Sequence, residues 1–531
     1  MTESKRIIFN TAATYARSVY ALLLGLFSSR WVFNALGERD MGLFGVVGSM
    51  IVLVVFLNNV MSAAVSRFYA FSIGEAKAMQ NDAAGIYHVG KWFNVAFSTH
   101  TFLPLLLIAT GYPIGIYAIH NGWIVVPPDR IDACVWVFRC SMISAFIAMV
   151  SVPYLAMYRA YQFIAELSFW GLLSSTVVFI IAWWLPRYDG DRLVMFAVLS
   201  TITPLFITSI QVYRARKHFP ACRIYLREMF NCDRFKAMLS YVAWDFWGCL
   251  GDLVRQNGTA FVINRNFPPA MNAAYSISAQ VNGHTTALSS AMLGALTPAV
   301  TTAEGAGERE KAMSLAYRSC KFGAVLILLF AVPLIIEIDE VLKLWLIHPP
   351  KAAATICSFV LASLVCHKLG LGLHLMIIAK GRIAVYQLIA GTVSVCTVVL
   401  AYIFVRIGFG AVGIGLAFLL DFSALTGVRL IFARRLVGMS AMRWMKDVLL
   451  PVMLYCVFTI GIGILPRFFF PESFGRICLT SLACVMAGAV VGYFIVCSTE
   501  EKQYMRSLWC AKQRAADREM GNRRGLTNSQ S

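Results

Sequence analysis

Permanent charges inside long apolar runs are the first chemistry this sequence offers. The stretch NTAATYARSVYALLLGLFSSRWVFNALG, residues 10–37, is long enough to cross a bilayer, yet it holds Arg17 and Arg30. An arginine presents a planar, five-donor fork that stays charged and matches phosphate oxygens. Asn10, Thr14, Arg17, Tyr20 and Ser28 fall near one stripe at about 100° per residue. At 1.5 Å per residue Arg17 lies about 12 Å inside the run, too deep to reach water by snorkelling alone. The stripe predicts a water-filled cavity able to take an anion, with a structural partner inside the protein as the alternative. Arg30 sits nearer the other end, where it either lines the same cavity or snorkels outward beside Asn34.

A second set of charges lies in MLSYVAWDFWGCLGDLVRQNGTAFVINRNF, residues 238–267. Asp245 and Asp252 are seven apart on one helical face, which Gln256 and Thr259 extend. Arg255 is either a cavity cation for an anionic substrate or neutralised by Asp252 one turn away. Asp245 has no such local partner, and a lone carboxylate at bilayer depth suits a proton or sodium site, with Asp252 the second candidate for ion coupling, or else a packed contact within the fold. CHKLGLGLH, residues 366–374, adds Lys368 as a further candidate for an anion. His367 and His374 lack a third ligand nearby in sequence, so no metal site is expected. Asn58 and Asn59, with Gln280 and Asn282 of SISAQVNGH, suit a polar cavity lining or hydrogen bonds between helices. Arg139 and Asp421 read as structural hydrogen-bonding groups.

The elements that must position these residues are set by composition. The chain has 531 residues, 59% hydrophobic and 14% charged, against about 25% charged for soluble domains. Apolar runs of about 20 residues recur throughout, each able to span the hydrocarbon core as a helix. Their leucine-rich character without strict alternation excludes a transmembrane barrel. About fourteen spans are expected, near 9–36, 41–66, 86–111, 131–156, 160–185, 192–213, 237–264, 268–300, 318–337, 352–379, 383–406, 411–433, 447–466 and 474–497.

The net charge is +19. Lys and Arg concentrate in alternate connections, above all in the 214–236 linker and in the polar 498–531 tail. That bias places both termini in the cytosol and reads as orientation, with no nucleic-acid partner. The N-terminal apolar region is too long for a cleaved leader and is expected to stay as the first span. Of 14 cysteines none forms a CxxC pair, and neither disulfides nor bound metal are expected. There is no P-loop, HExxH, GxSxG or long extramembrane domain, so the chain does not read as an enzyme.

The two sides of the basic linker resemble each other. Asn34 and Asn264 occupy matching places, as do Met41 and Met271, and GEAKAM (74–79) is answered by EREKAM (308–313). The expected plan is an N-lobe at 1–213 with six spans, a basic cytosolic linker at 214–236, a C-lobe of six at 237–436, two further spans at 437–497 and a cytosolic tail at 498–531. Repeats of this kind, with a site between lobes, are a transporter architecture.

The opening FNTAATYARSVYALLLGLFSSRWVFNALGERDMGLFGVVGSMIVLVVFLNNVMSAAVSRFYAFSIGEA resembles the start of bacterial polysaccharide transporters, the O-antigen and capsule repeat-unit flippases. These belong to the superfamily of multidrug and toxin extrusion (MATE) transporters and lipid II flippases. The likeness runs through Arg17, SSR ending at Arg30, ALG at 35–37, GLFGVVG at 42–48 and SAAVSRF at 62–68, with AAYSISAQVNG further on. It implies an all-α, MATE-like, V-shaped bundle that alternates between inward-open and outward-open. The implied cargo is an undecaprenyl-diphosphate-linked oligosaccharide, carried across the bacterial cytoplasmic membrane. Arg17 and Arg30 would meet its diphosphate, and membrane lipids and other polysaccharide-assembly proteins would be its partners. No cofactor is expected; a proton or sodium ion is the candidate for coupling, and the driving ion, if any, is left open. An efflux antiporter, a lipid II flippase and, from another class, a membrane-embedded polysaccharide polymerase remain as alternatives.

Overall fold

The computed structural model describes residues 3–121, 126–346 and 349–503. Helices α1 (Glu3–Ser49), α2 (Val52–Ala78), α3 (Asp82–His120), α4 (Ile131–Ala160), α5 (Ile164–Trp184) and α6 (Arg192–His218) form the first half. A short α7 (Leu226–Met229) lies in the linker. The second half is α8 (Cys232–Asn266), α9 (Pro269–Gly305), α10 (Arg309–Ile336), α11 (Ile338–Leu346), α12 (Ala353–Leu369), α13 (Leu371–Lys380), α14 (Ala384–Ile407) and α15 (Gly410–Val437). Then come α16 (Ala441–Trp444), α17 (Leu450–Phe469) and α18 (Phe474–Val491).

Among the described residues, 11 helices are long and apolar enough to cross a membrane, and α12 with α13 makes one more across a 44° bend. Helices α8 and α9 are equally long but too polar to be counted with them, because they carry the buried charges and amides discussed below. Counting them gives the expected fourteen. Two boundaries differ from expectation. The first hairpin turns at Gly37, whose φ of +74° is open to glycine at little cost, but the second span then breaks again between Ser49 and Val52. The tenth span bends at Gly370 instead of running straight from 352 to 379.

Helix pairing repeats between the halves. In the first, α1 packs on α5, α4 on α6, and α2 and α3 on α4. In the second, α8 packs on α14, α12 on α15, and α9 and α10 on α12, which is the same scheme one repeat later. Helices α17 and α18 pack on each other and against α10. The linker is strapped to α3: Asn94 donates to the Arg223 carbonyl at 3.0 Å and accepts from the Tyr225 amide at 2.6 Å, while Ser98 donates to the Met229 carbonyl at 2.7 Å. Phe219, Ala221 and Cys222 are buried beneath it.

One apolar cluster runs through both halves, joining Val65, Tyr69 and Met157 to Tyr241, Ala303 and Leu373. Separate clusters form around Leu43, Val137 and Leu193 in the first half and around Ala274, Leu342 and Ile356 in the second. Arg130 pairs with Asp40 and, at 2.8 Å, with Asp191, which also caps α6.

Helix α18 is held by a buried ion pair. Arg476 reaches Glu337 at 2.9 Å, and Thr480 donates to the same carboxylate at 2.9 Å. Both charged groups are almost fully buried. Removing one partner of such a pair costs about 3–5 kcal/mol, because the other charge is left uncompensated. Glu337→Ala is therefore expected to lower the thermal unfolding midpoint of the detergent-purified protein markedly, and Glu337→Ala combined with Arg476→Met to recover part of it.

Candidate functional site

The α1 stripe is largely a packing seam. Asn10 donates to the Gln162 carbonyl at 2.9 Å and accepts from the Ala165 amide at 3.1 Å, beside α5. Thr14 meets Ser168 at 3.4 Å and Tyr20 meets Thr176 at 2.9 Å. The expectation of a water-lined stripe is corrected for Asn10 and Thr14, which are buried against α5, whereas Tyr20 stays exposed. Arg17 is the exception in this row. Its aliphatic stem crosses Gly171, and a Cβ built there would lie 2.6 Å from the Arg17 Cδ. Its guanidinium has neither hydrogen bond nor ion pair among the described residues.

Within electrostatic range of Arg17 is a second cation that sequence reasoning passed over, Arg159 at the end of α4. Arg159 is hemmed in by its lobe yet keeps an exposed surface, as a side chain lining an internal cleft does. It donates to Ser62 Oγ at 2.6 Å and has no carboxylate partner among the described residues. Glu166, at the start of α5, is taken by Arg214 at 2.6 Å. Arg30 is exposed and likewise unpaired among the described residues. Arg139 donates to Tyr112 Oη at 3.0 Å and stacks on Trp136.

The C-lobe charges behave in the opposite way. Arg255 is 6% exposed and held by Asp421 at 2.5 Å, by Asp252 at 3.2 Å and by the Phe422 ring at 4.3 Å. Its expected role as a cavity cation is corrected, since two carboxylates occupy its fork. Asp421, from α15 and 166 residues away, is the partner that local sequence does not show. Asp252 stays half exposed and accepts from Ser394 at 3.0 Å. Asp245 is buried and accepts from Gln387 of α14 at 2.6 Å. Lys368 is 2% exposed, so it too is withdrawn from any cavity wall. Arg429 donates to Tyr386 Oη at 3.3 Å and to the His367 carbonyl at 3.2 Å, and Tyr386 meets His374 at 2.7 Å. The lobe thus holds three acids, Asp245, Asp252 and Asp421, and three cations, Arg255, Lys368 and Arg429, with two of the acids on Arg255.

The expected amides sit on the two helices that face each other across the lobes. Asn58 and Asn59 are on α2, and Gln280 and Asn282 are on α9. Asn59 and Gln280 are exposed, Asn282 accepts from Thr286 at 3.4 Å, and Asn58 Oδ1 is buried without a partner among the described residues. Near the linker face α2 and α9 touch backbone to backbone. A Cβ on Gly74 would lie 2.1 Å from the Thr302 carbonyl oxygen, and one on Gly305 2.3 Å from that of Phe71. Arg67 completes the junction by donating to the Ile378 and Ala379 carbonyls, both at 3.0 Å, at the C-terminus of α13. Phe68 meets Tyr241, and Phe56 meets Phe246, across the same seam.

This fold is similar to that of solved MATE structures. Similar solved structures include a MATE in the bent conformation at TM-score 0.69 and 14% identity, covering 82% of this chain and 96% of that one. An outward-facing multidrug resistance MATE transporter of the MOP superfamily matches at TM-score 0.66 and 14% identity, covering 82% of this chain and 96% of its own. A MOP superfamily transporter from Pyrococcus furiosus, described by a binding pocket of reverse polarity that suggests a different function, matches at 0.68 and 15%, over 82% and 96% of the two chains. No protein-family model and no curated protein matches this sequence.

The glycine contact gives a test of the junction. Gly74→Val cannot be accommodated without parting α2 from α9. Spin labels at Lys77→Cys and Glu308→Cys, in a background without other reactive cysteines, should then show a distance distribution shifted to longer values than with Gly74 present.

Proposed function

We propose that this protein flips an undecaprenyl-diphosphate-linked oligosaccharide, an O-antigen, capsule or exopolysaccharide repeat unit, from the inner to the outer leaflet of the bacterial cytoplasmic membrane by alternating access. The observation that carries this reading is the contrast between the lobes. Each charge at bilayer depth costs at least about 2.5–3.5 kcal/mol. In the C-lobe Arg255 is held by two carboxylates, whereas Arg17 and Arg159 lie within electrostatic range of each other and neither has a carboxylate partner among the described residues. Two neighbouring guanidiniums without counter-ions are stabilised by an arriving anion, and a diphosphate supplies acceptor oxygens for both forks. The glycan would occupy the cleft between α2 and α9, whose exposed amides suit sugar hydroxyls, and the lipid would stay in the bilayer. Asp252 and Asp421 offer the coupling step: a proton or sodium ion there loosens the hold on Arg255 and so the ion-pair link from α8 to α15.

Charged hydrogen bonds contribute about 1.5–3 kcal/mol each, so Arg17→Gln and Arg159→Gln are each expected to cut repeat-unit export about tenfold or more, with Arg17→Lys keeping part of it. The measurement is the leaflet distribution of lipid-linked saccharides in a deletion strain carrying each variant. Complete units trapped on the cytosolic side are expected; unchanged export with both substitutions would remove the role given to this pair.

A second reading, multidrug efflux, is favoured by the similarity to a multidrug resistance MATE transporter. It predicts altered drug susceptibility with surface glycans intact in the deletion strain. Rescue of a lipid II flippase depletion would mark the remaining relative.

A further inference from the structure

A cavity of about 950 Å³ opens at the linker face between α8, α14 and α15, with α2 closing one side. It lies beside the junction of the lobes, apart from the Arg17 and Arg159 pair. Three guanidiniums line it, Arg67, Arg382 and Arg435, and no carboxylate among the described residues does. Arg67 is committed to the α13 carbonyls through Nε and one terminal nitrogen, leaving the other terminal nitrogen free. Arg382 and Arg435 are exposed and make neither hydrogen bond nor ion pair among the described residues. Asp245, the nearest buried acid of α8, is engaged by Gln387.

The rest of the lining is apolar in one direction. Val385 is 61% exposed, and Ile431 52% and Ile389 38%; each belongs to the outer surface of a transmembrane helix. Trp244 and Tyr241 also line the cavity, with the Arg67 guanidinium over the Tyr241 ring at 5.1 Å. Val385 follows Arg382 closely in the chain and Ile431 lies one helical turn before Arg435, so each distal arginine has an exposed aliphatic residue beside it. Cations next to an exposed aliphatic wall match the headgroup and chains of a phospholipid.

The geometry points to a binding site for an anionic phospholipid of the linker-face leaflet, its phosphate among Arg67, Arg382 and Arg435 and its chains over Val385, Ile389 and Ile431. Arg67 belongs to the first lobe and the other two arginines to the second, so the bound lipid bridges the lobes. It therefore favours the state in which the linker face is closed, as here. The inference does not depend on the nature of the cargo.

The test uses the full-length protein in nanodiscs of phosphatidylcholine, alone or with phosphatidylglycerol, followed by thermal unfolding and native mass spectrometry. Phosphatidylglycerol is expected to raise the unfolding midpoint and to remain bound. An Arg382→Gln, Arg435→Gln double variant should match the unaltered protein in phosphatidylcholine alone, which establishes that it folds. Two guanidiniums near an anionic headgroup are each worth enough that the variant should retain phosphatidylglycerol about tenfold less well. Gly74→Val, which parts the junction while leaving both distal arginines in place, should lower retention as well. An equal midpoint rise in the double variant, equal stabilisation by inorganic phosphate alone, or displacement of phosphatidylglycerol by an undecaprenyl phosphate at matched concentration would overturn the proposal. The three outcomes would indicate, in order, a general surface effect, a free-anion site and a substrate subsite.

Discussion

The cost of holding charge where water is scarce governs this molecule. A guanidinium or carboxylate inside a helical bundle has to be matched, hydrogen-bonded or solvated in a cleft. The second lobe takes the first two courses for Arg255, Asp245 and Arg429. Asp421 and Asp252 enclose Arg255, Gln387 serves Asp245, and Tyr386 ties Arg429 to His374. These bonds join α8, α13, α14 and α15 into one unit whose interior fork, Arg255, is already occupied. The first lobe takes the third course. Its inner acid is spent on Arg214, and Arg17 and Arg159 share a neighbourhood with serine and glycine beside them. Two lobes with one helix-pairing scheme thus carry opposite electrostatic tasks.

The helical spans were legible because each is a long apolar run, and even α8 and α9 could be recognised by length despite their polar content. An expectation of two lobes was legible in Asn34 and Asn264 and in GEAKAM and EREKAM. Pairing was not. The spacing of Asn10, Thr14 and Tyr20 marks a polar face, but periodicity cannot tell a neighbouring helix from water, and α5 is that neighbour. Arg255 with Asp252 could be foreseen as a local pair, whereas Asp421 is brought in only by tertiary packing. Arg159 sits at a helix terminus, where an arginine ordinarily marks orientation. Only its nearness to α1 sets it apart.

Close approach of small residues supplies the other constraint. Without a strong hydrophobic drive between helices in lipid, backbones come together where glycine permits it. Gly74 and Gly305 do this between lobes, and Gly251 and Gly391 do it within the second, where a Cβ on either would strike the facing chain. The first contact is a single seam that motion can part. The second is flanked by the buried ion pairs and holds its lobe rigid.

The seam lies close to one end of a long lever. Helix α2 rises about 40 Å at 1.5 Å per residue, and the linker is strapped to α3 on the same face. With the fulcrum there, small slips between packed backbones are magnified along the helix. Mechanical advantage is therefore unequal at the two faces: a slight rotation yields a wide gape far from the linker and only a narrow one beside it. For the cargo proposed above, that asymmetry would let a bulky, hydrated head leave through the wide side while a slender chain follows through the bilayer.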